Sequence, residues 1–185
     1  MGLTTPPSSK ENTMRSKPAG NLRRTLGAAV GALLVSLALP TSPAAAVDLS
    51  QWRWLSNLNS SKCLEVGGWS TDNGAAVNQW DCHAGANQYW AGTPSGSGYL
   101  IYNKNSGKCL EVKGWSRANG AAIGQWDCHG GANQQWMVRF EGFSDTATLV
   151  NVNSGKCLEM GDWRTDNGAP ATQWDCHGGL NQDWY

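Results

Sequence analysis

The chain has 185 residues, 14 Lys/Arg against 14 Asp/Glu and a formal net charge of zero, with eleven Trp but only two Phe. Phosphate-backbone binding needs a basic stripe, whereas Lys62, Lys108 and Lys156 recur singly, each just before a cysteine, so no nucleic-acid partner is expected.

Residues 1–46 carry the three parts of an export signal. Arg15, Lys17, Arg23 and Arg24 form a basic stretch, Leu26 to Leu39 an apolar run, and Ala44-Ala45-Ala46 a small-residue cleavage site. Cleavage after Ala46 is predicted, which leaves a secreted, extracellular domain over residues 47–185. The apolar run is 14 residues long and contains glycines. Roughly 20 apolar residues are needed to cross a bilayer, so the mature protein is expected to have no membrane span. Met14 would serve as a start as well as Met1, and Arg23-Arg24 fits twin-arginine export as well as the general route. From Val47 onward there are nine Lys/Arg and thirteen Asp/Glu, a net charge of −4.

The mature part is one motif written three times. KCLEVGGWSTDNGAAVNQWDCHAGANQYW, KCLEVKGWSRANGAAIGQWDCHGGANQQW and KCLEMGDWRTDNGAPATQWDCHGGLNQDWY fall in repeats 51–98, 99–145 and 146–185. In each, the two cysteines lie 19 positions apart, while the repeats step by 46 and then 48. Six cysteines allow 15 pairings, but equivalent units make equivalent bonds, which predicts Cys63–Cys82, Cys109–Cys128 and Cys157–Cys176. An exported chain permits such bonds, and each loop of this size contributes about 3 kcal/mol by limiting the unfolded chain. With few aliphatic residues to bury, a small domain depends on such crosslinks.

Within a repeat, turn signals arrive every 8 to 12 residues and no apolar stripe has a 3.6 period, which predicts four short strands and no helix. Repeat 2 shows the order. Leu100-Ile101-Tyr102 forms a first strand, Asn105-Ser106-Gly107 a turn, Cys109 to Val112 a second strand, Ala122 to Cys128 a third, and Gln134 to Val138 a fourth. Asn73-Gly74, Asn119-Gly120 and Asn167-Gly168 predict a tight hairpin between the second and third strands. Three such units could be propeller blades, but propellers typically have at least four. The count favours an all-β, pseudo-threefold β-trefoil of three four-strand repeats.

Gln88-Tyr89-Trp90, Gln134-Gln135-Trp136 and Gln182-Asp183-Trp184 form a tripled Q-x-W signature, each behind a W-D-C-H segment. In these motifs the chain resembles the ricin B-type lectins and the related carbohydrate-binding modules of secreted bacterial glycosidases, over roughly Gln51 to Tyr185. The resemblance implies a β-trefoil with up to three shallow sugar pockets, often for galactose or xylose. It implies an acid two residues after the first cysteine, an aromatic two before the second, a polar residue two before that aromatic, and the Asn-Gln pair that opens Q-x-W. Repeat 1 supplies Glu65, Trp80, Asn78, Asn87 and Gln88; repeat 2 supplies Glu111, Trp126, Asn133 and Gln134; repeat 3 supplies Glu159, Trp174, Asn181 and Gln182. Two features differ from the family pattern. The usual acid is Asp, but all three repeats have Glu, which moves the carboxylate out by one methylene; and the polar position holds Asn78, Gly124 and Thr172 in turn, so repeat 1 is expected to bind best.

A pyranose has one face of C–H bonds and an edge of hydroxyls, which calls for a flat apolar platform beside convergent donors and acceptors. Trp80, Trp126 and Trp174 are the expected platforms, the three Glu accept hydroxyl protons, and Asn87, Asn133 and Asn181 both donate and accept. Alternation puts Asn78 and Trp80 on one strand face and Val77 and Gln79 on the other, so Gln79, Gln125 and Gln173 point inward and need partners. Trp90, Trp136 and Trp184 are expected in the core. Trp69, Trp115 and Trp163 are either a second stacking wall or a lid over their own loop. His83, His129 and His177 follow cysteines directly, but neighbours on a strand face opposite ways and the cysteines serve as disulfides, so the expectation is no metal and no other cofactor; these histidines should bond sugar or a loop carbonyl.

The expected function is therefore non-catalytic binding of a polysaccharide or glycan by a monomer. Glycoside hydrolysis needs two carboxylates flanking one bond, and Asp81, Asp127 and Asp175 should face away from the pockets. The alternative is a β-trefoil protein-binding module such as a protease inhibitor, for which the divergent segments Ala91 to Gly98 and Glu141 to Ala147 would be the contact loops.

Overall fold

The computed structural model describes residues 48–140 and 145–185, together with the isolated Gly2. The predicted signal segment and residues 141–144 of the divergent loop lie outside the described residues. Among the described residues no helix is long and apolar enough to cross a membrane.

Among the described residues, twelve strands follow in three sets of four: β1 (Arg53–Trp54), β2 (Cys63–Val66), β3 (Val77–Trp80) and β4 (Tyr89–Ser95); β5 (Gly98–Asn103), β6 (Cys109–Val112), β7 (Ala121–Trp126) and β8 (Gln135–Phe140); β9 (Ala147–Asn151), β10 (Cys157–Met160), β11 (Ala171–Trp174) and β12 (Asp183–Trp184). The outer strands of each set pair in the order β1-β4-β5-β8-β9-β12. The ring closes where Tyr185 N donates to Ser56 O at 3.0 Å and Leu58 N to Asp183 O at 2.9 Å. The inner strands form three hairpins, β2-β3, β6-β7 and β10-β11, that meet one another through β7 and β11 and through bridges at Ala76–Gly124 and Asn78–Pro170. A closed six-strand barrel capped by three hairpins is a β-trefoil. The predicted disulfides Cys63–Cys82, Cys109–Cys128 and Cys157–Cys176 tie β2, β6 and β10 to the segments that follow β3, β7 and β11.

Trp90, Trp136 and Trp184 fill the middle of the barrel without exposure. Each indole N–H donates to the carbonyl of Leu64, Leu110 or Leu158 of its own repeat, at 2.9, 2.9 and 3.2 Å, so the largest core side chains bring no unpaired donor inside. Around them the core is filled in threes, Leu55, Ile101 and Leu149 in one set and Val77, Ile123 and Ala171 in another. Volume is conserved across strand pairs: small Ala171 stands opposite Met160, where repeat 1 pairs Val66 with Val77 and repeat 2 pairs Val112 with Ile123.

Two local expectations need correction. Short three-residue 3-10 turns interrupt each repeat twice, at Lys113–Trp115 and Ala132–Gln134 in repeat 2, so the fourth strand begins at Gln135 and not at Gln134. The Asn-Gly pairs do not make tight hairpins. The last pair on β2-β3 is Val66 with Val77, and Asn73-Gly74 sits inside the long connection, in a turn where Ala75 N donates to Asp72 O and Gly74 has φ +82°. What the asparagine does instead is reach into the next repeat. Asn73 Oδ1 accepts from Asp127 N at 2.9 Å while its Nδ2 donates to Asp127 Oδ2; Asn119 treats Asp175 in the same way, and Asn167 treats Asp81.

The inward glutamines complete this clasp. Gln79 is fully buried; Ser60 Oγ donates to its Oε1 at 2.6 Å, and its Nε2 donates to the carbonyls of Arg164 and Asp166 in repeat 3. Gln125 does the same with Ser106 and the carbonyls of Ser70 and Asp72, and Gln173 with Ser154 and the carbonyls of Ser116 and Ala118. Each long connection is therefore fastened to the following repeat, with repeat 3 closing on repeat 1. The segment Ala91 to Gly98 is an ordinary β4-β5 hairpin paired down to Ser95 and Gly98.

Gln125→Ala removes the donor to the carbonyls of Ser70 and Asp72 at a half-buried seam, and each such bond contributes about 0.5–1.5 kcal/mol; guanidinium unfolding should give a loss of about 1–3 kcal/mol, and an unchanged midpoint would contradict the clasp. The lysine contacts of Asp81, Asp127 and Asp175, with the bonds from Asn167, Asn73 and Asn119 next, hold these carboxyls below their ordinary range. A depressed folded value means the contribution is present above the unfolded value and is lost as pH falls through the folded one. Melting temperature should thus hold from neutrality down to about pH 4 as far as these groups decide it, and the difference between the parent and Asp127→Asn should vanish only in more acid solution.

Candidate functional site

Three cavities repeat around the cap, of about 290, 420 and 350 Å³ in repeats 1, 2 and 3. The first is lined by Glu65, Gly68, Trp69, Trp80 and His83, the second by Glu111, Gly114, Trp115, Trp126, His129 and Asn133, and the third by Glu159, Asp162, Trp163, Trp174, His177 and Asn181.

The acid comes from the β2, β6 or β10 strand and the first tryptophan from the facing end of its partner. Strand alternation works as expected: Val77 and Gln79 are buried, Asn78 is half-buried, and Trp80 is 42% exposed. The second tryptophan arrives from the 3-10 turn that ends the acid's strand. Trp69, Trp115 and Trp163 have φ between +56° and +58°, a left-handed backbone rare for a bulky residue, and are 51–52% exposed. Each stacks on the histidine of its repeat at 5.9 Å between ring centroids. They form a second wall of the cavity, which answers the question the sequence leaves open. The close approach requires Gly85, Gly131 and Gly179: a Cβ there would lie 2.6–2.7 Å from both the indole and the imidazole.

Glu65 is only 5% exposed, and burial of a carboxylate demands donors. Gln88 Nε2 donates to its Oε2 at 3.0 Å, Asn87 Nδ2 at 3.4 Å, and His83 Nε2 lies at 3.2 Å. Gly85 N donates to His83 Nδ1, so the ring proton sits on Nε2 and points at the acid. Repeats 2 and 3 copy this around Glu111 and Glu159, with His129 and His177 at 3.5 Å. His83 therefore bonds the carboxylate and not a loop carbonyl, and His129 and His177 face theirs from slightly farther off, because the ring that stacks on the second tryptophan brings Nε2 over the acid. In repeats 1 and 2 these contacts all end on Oε2, and Oε1 has no hydrogen-bond partner among the described residues; in repeat 3 Thr172 Oγ1 donates to Glu159 Oε1 at 3.4 Å.

The remaining expected residues separate into two layers. Asn133 and Asn181 line cavities, and Asn87 stands at the equivalent place; each donates Nδ2 to the acid and to a strand carbonyl, which fixes the amide and leaves a buried Oδ1 without a partner among the described residues. Gln88, Gln134 and Gln182 are fully buried behind the acid, their Oε1 accepting from the backbone N–H of His83, His129 and His177. They position the site and do not line it. Asn78 also stays outside the lining; it stands opposite Glu65 in the strand pair and packs on Gly67. In repeat 2 the methylenes of Lys113 fill that space, and a Cβ on Gly124 would come within 2.4 Å of them, so glycine there is the partner of a lysine.

Asp81, Asp127 and Asp175 turn outward to Lys62, Lys108 and Lys156 at 2.5 Å, so their carboxylates are engaged away from the acid of each pocket. Two things escaped the sequence reading. Asp162 lines the third cavity at a position where repeats 1 and 2 have Gly68 and Gly114, and it keeps their left-handed backbone at φ +54°. The segments Asn57-Leu58-Asn59, Asn103-Lys104-Asn105 and Asn151-Val152-Asn153 each hold the preceding site: Asn103 Nδ2 donates to Asn87 O and Asn105 Nδ2 to Trp69 O, with Asn151 and Asn153 doing so for Asn133 and Trp115, and Asn57 and Asn59 for Asn181 and Trp163. A tripled N-x-N-S in register was the available signal.

Asp162→Gly relieves a left-handed residue, a conformation that costs most L-residues about 1–2 kcal/mol and Asp somewhat less. The variant should unfold about 0.5–1 kcal/mol later in a denaturant titration, and a destabilised variant would show that the aspartate earns its place by a contact.

The sequence profile of the ricin-type β-trefoil lectin domain matches residues 51–184. Among solved structures, a designed threefold-symmetric protein is 36% identical with a TM-score of 0.70, over 72% of this chain and 95% of that one. An exo-β-1,3-galactanase from Clostridium thermocellum is 33% identical with a TM-score of 0.70, over 75% of this chain but only 30% of its own. A ricin B-like lectin of Macrolepiota procera, solved with lactose, is 18% identical with a TM-score of 0.64 over 73% and 93%, a likeness of fold. With its tripled acid, tryptophan and Q-x-W constellation on a β-trefoil, the chain belongs to the ricin-type β-trefoil lectin domain family.

Proposed function

We propose that this chain is an exported, non-catalytic carbohydrate-binding protein whose three pockets grip polysaccharide or glycan. One observation carries the reading: in every repeat a buried, multiply bonded glutamate lies in a cavity between two half-exposed tryptophans. Paired aromatic walls suit the C–H faces of a sugar ring, and a fixed carboxylate suits adjacent hydroxyls. Trp80, Trp126 and Trp174 are the platforms, with Trp69, Trp115 and Trp163 facing them. Glu65, Glu111 and Glu159 accept from hydroxyls, and the buried asparagines beside them hold the acids in place.

Galactose-containing ligands are favoured over xylose by the 33% identity to the galactanase. Binding without hydrolysis is supported by the acids of repeats 1 and 2, where the neighbouring Asp81 and Asp127 are engaged with lysines and each cavity is left with one carboxylate. The cysteine bonds fit an extracellular place of work.

Single open pockets gain strength from repetition, since a polymer occupying one raises the effective concentration at the others. Trp80→Ala, Trp126→Ala and Trp174→Ala should each weaken binding to immobilised galactan several-fold, and the triple variant should abolish it with the melting temperature nearly unchanged, because these rings are outside the core. Undiminished binding by the folded triple variant would rule out the platforms, and sustained release of reducing ends would rule out a non-catalytic role.

A further inference from the structure

A fourth cavity, of about 390 Å³, shares no lining residue with the three; Arg53, Trp54, Ser56, Tyr89 and Tyr185 surround it. Trp54 and Tyr89 face each other across β1 and β4, with ring centroids 5.6 Å apart and planes tilted by 50°. Trp54 is 40% exposed and Tyr185 44%. The fold does not require these aromatics, because the same cross-strand position holds Leu100 with Gln135 in repeat 2 and Thr148 with Asp183 in repeat 3. Repeat 1 has added an aromatic surface that the symmetry does not ask for.

Its lining side chains carry the opposite charge to those of the other three. Each of those has a glutamate, whereas the only ionised side chain among the fourth cavity's lining residues is the guanidinium of Arg53, whose Nε is buried without a hydrogen-bond partner. Lys104 Nζ stands 5.0 Å from the Tyr89 ring centroid and 6.0 Å from that of Trp52 on the same flank. Asp48 is exposed, and its carboxyl is held below the ordinary range first by the Ser50 side chain and then by the Ser50 N–H, with the Arg53 charge the smallest contribution.

We infer that this cavity binds a pyranose that carries a carboxylate, a uronic acid residue of a polysaccharide, with its ring against Trp54 and Tyr89 and its carboxylate on Arg53. The aromatic walls select a flat C–H face, which an acidic peptide or a phosphate lacks. The planar guanidinium fork selects a carboxylate over a neutral hydroxyl. The overall charge of −4 on the mature part does not oppose this at close range, since charges further off than about 8 Å are screened at physiological salt. The inference is independent of the three pockets.

The test is calorimetric titration of the intact, disulfide-bonded chain with trigalacturonate and with its methyl ester, the folded state being checked by near-ultraviolet circular dichroism. The acid should bind at least about tenfold more tightly than the ester. Trp54→Ala, Arg53→Gln and Tyr185→Ala should each weaken it by a similar factor; the Tyr185 side chain is exposed and lies outside β12, so its loss leaves the strands intact. In the Trp80, Trp126 and Trp174 triple alanine variant the preference for trigalacturonate over its ester should persist. Equal affinity for acid and ester, no measurable binding of the acid, an undiminished preference in folded Trp54→Ala or Tyr185→Ala, or loss of the preference in the triple variant would each overturn the assignment.

Discussion

A buried side-chain amide that crosses a repeat boundary to a backbone group is the interaction on which this molecule depends. Asn57, Asn103 and Asn151 have no exposure, and each gives its amide hydrogen to the backbone of the preceding site. Gln79, Gln125 and Gln173 hold the connection of the preceding repeat from the other side. Non-local backbone of this kind has no ladder partner, and orphaned carbonyls inside a small domain would be costly. Side-chain amides solve the problem because they carry donor and acceptor on one short arm. The threefold ring is thereby bound at three seams by the same few bonds.

It follows that no cavity belongs to one repeat. The second cavity takes its acid, platform and histidine from repeat 2, but the carbonyls of Trp115 and Asn133 are held by Asn153 and Asn151 of repeat 3. Behind its platform, a Cβ on Gly74 of repeat 1 would lie within ordinary contact of Trp126, and Asn73 fixes the residue that follows the platform. The left-handed Trp115 is tolerable for this reason: a strained conformer persists where its surroundings over-determine it. Its carbonyl, its ring and the glycine beneath the ring are all specified by neighbours.

The fold was legible because three tiers of signal agreed. Cysteine spacing gave the crosslinks, Q-x-W gave the core tryptophans, and strand alternation put Gln79 inside and Trp80 outside. The Asn-Gly signal misled because it is local, whereas Asn73 answers to Asp127, 54 positions away. The partners of Gln79 were hidden for the same reason, being carbonyls 85 and 87 residues on. Side chains that bond backbone leave no complementary residue type to search for. Repetition was the only trace of such bonds, and the N-x-N-S segments carried it as plainly as Q-x-W did.

The glutamates at the acid position can be understood from this network. An aspartate would keep its carboxylate close to the strand; the extra methylene carries Glu65 Oε2 out to where Gln88, Asn87 and His83 converge. The longer arm is therefore used for anchorage as well as reach. Side-chain entropy that a free glutamate would lose on meeting a ligand has been lost already on folding, so less is lost on binding. Stacking of His83 on Trp69 extends the same restraint to the second wall, because a ring that bonds the acid through Nε2 and Gly85 through Nδ1 cannot turn without breaking both. Acid, histidine and tryptophan are thus tied to one another at the base of the pocket, while the half-exposed indoles leave its outer edge open.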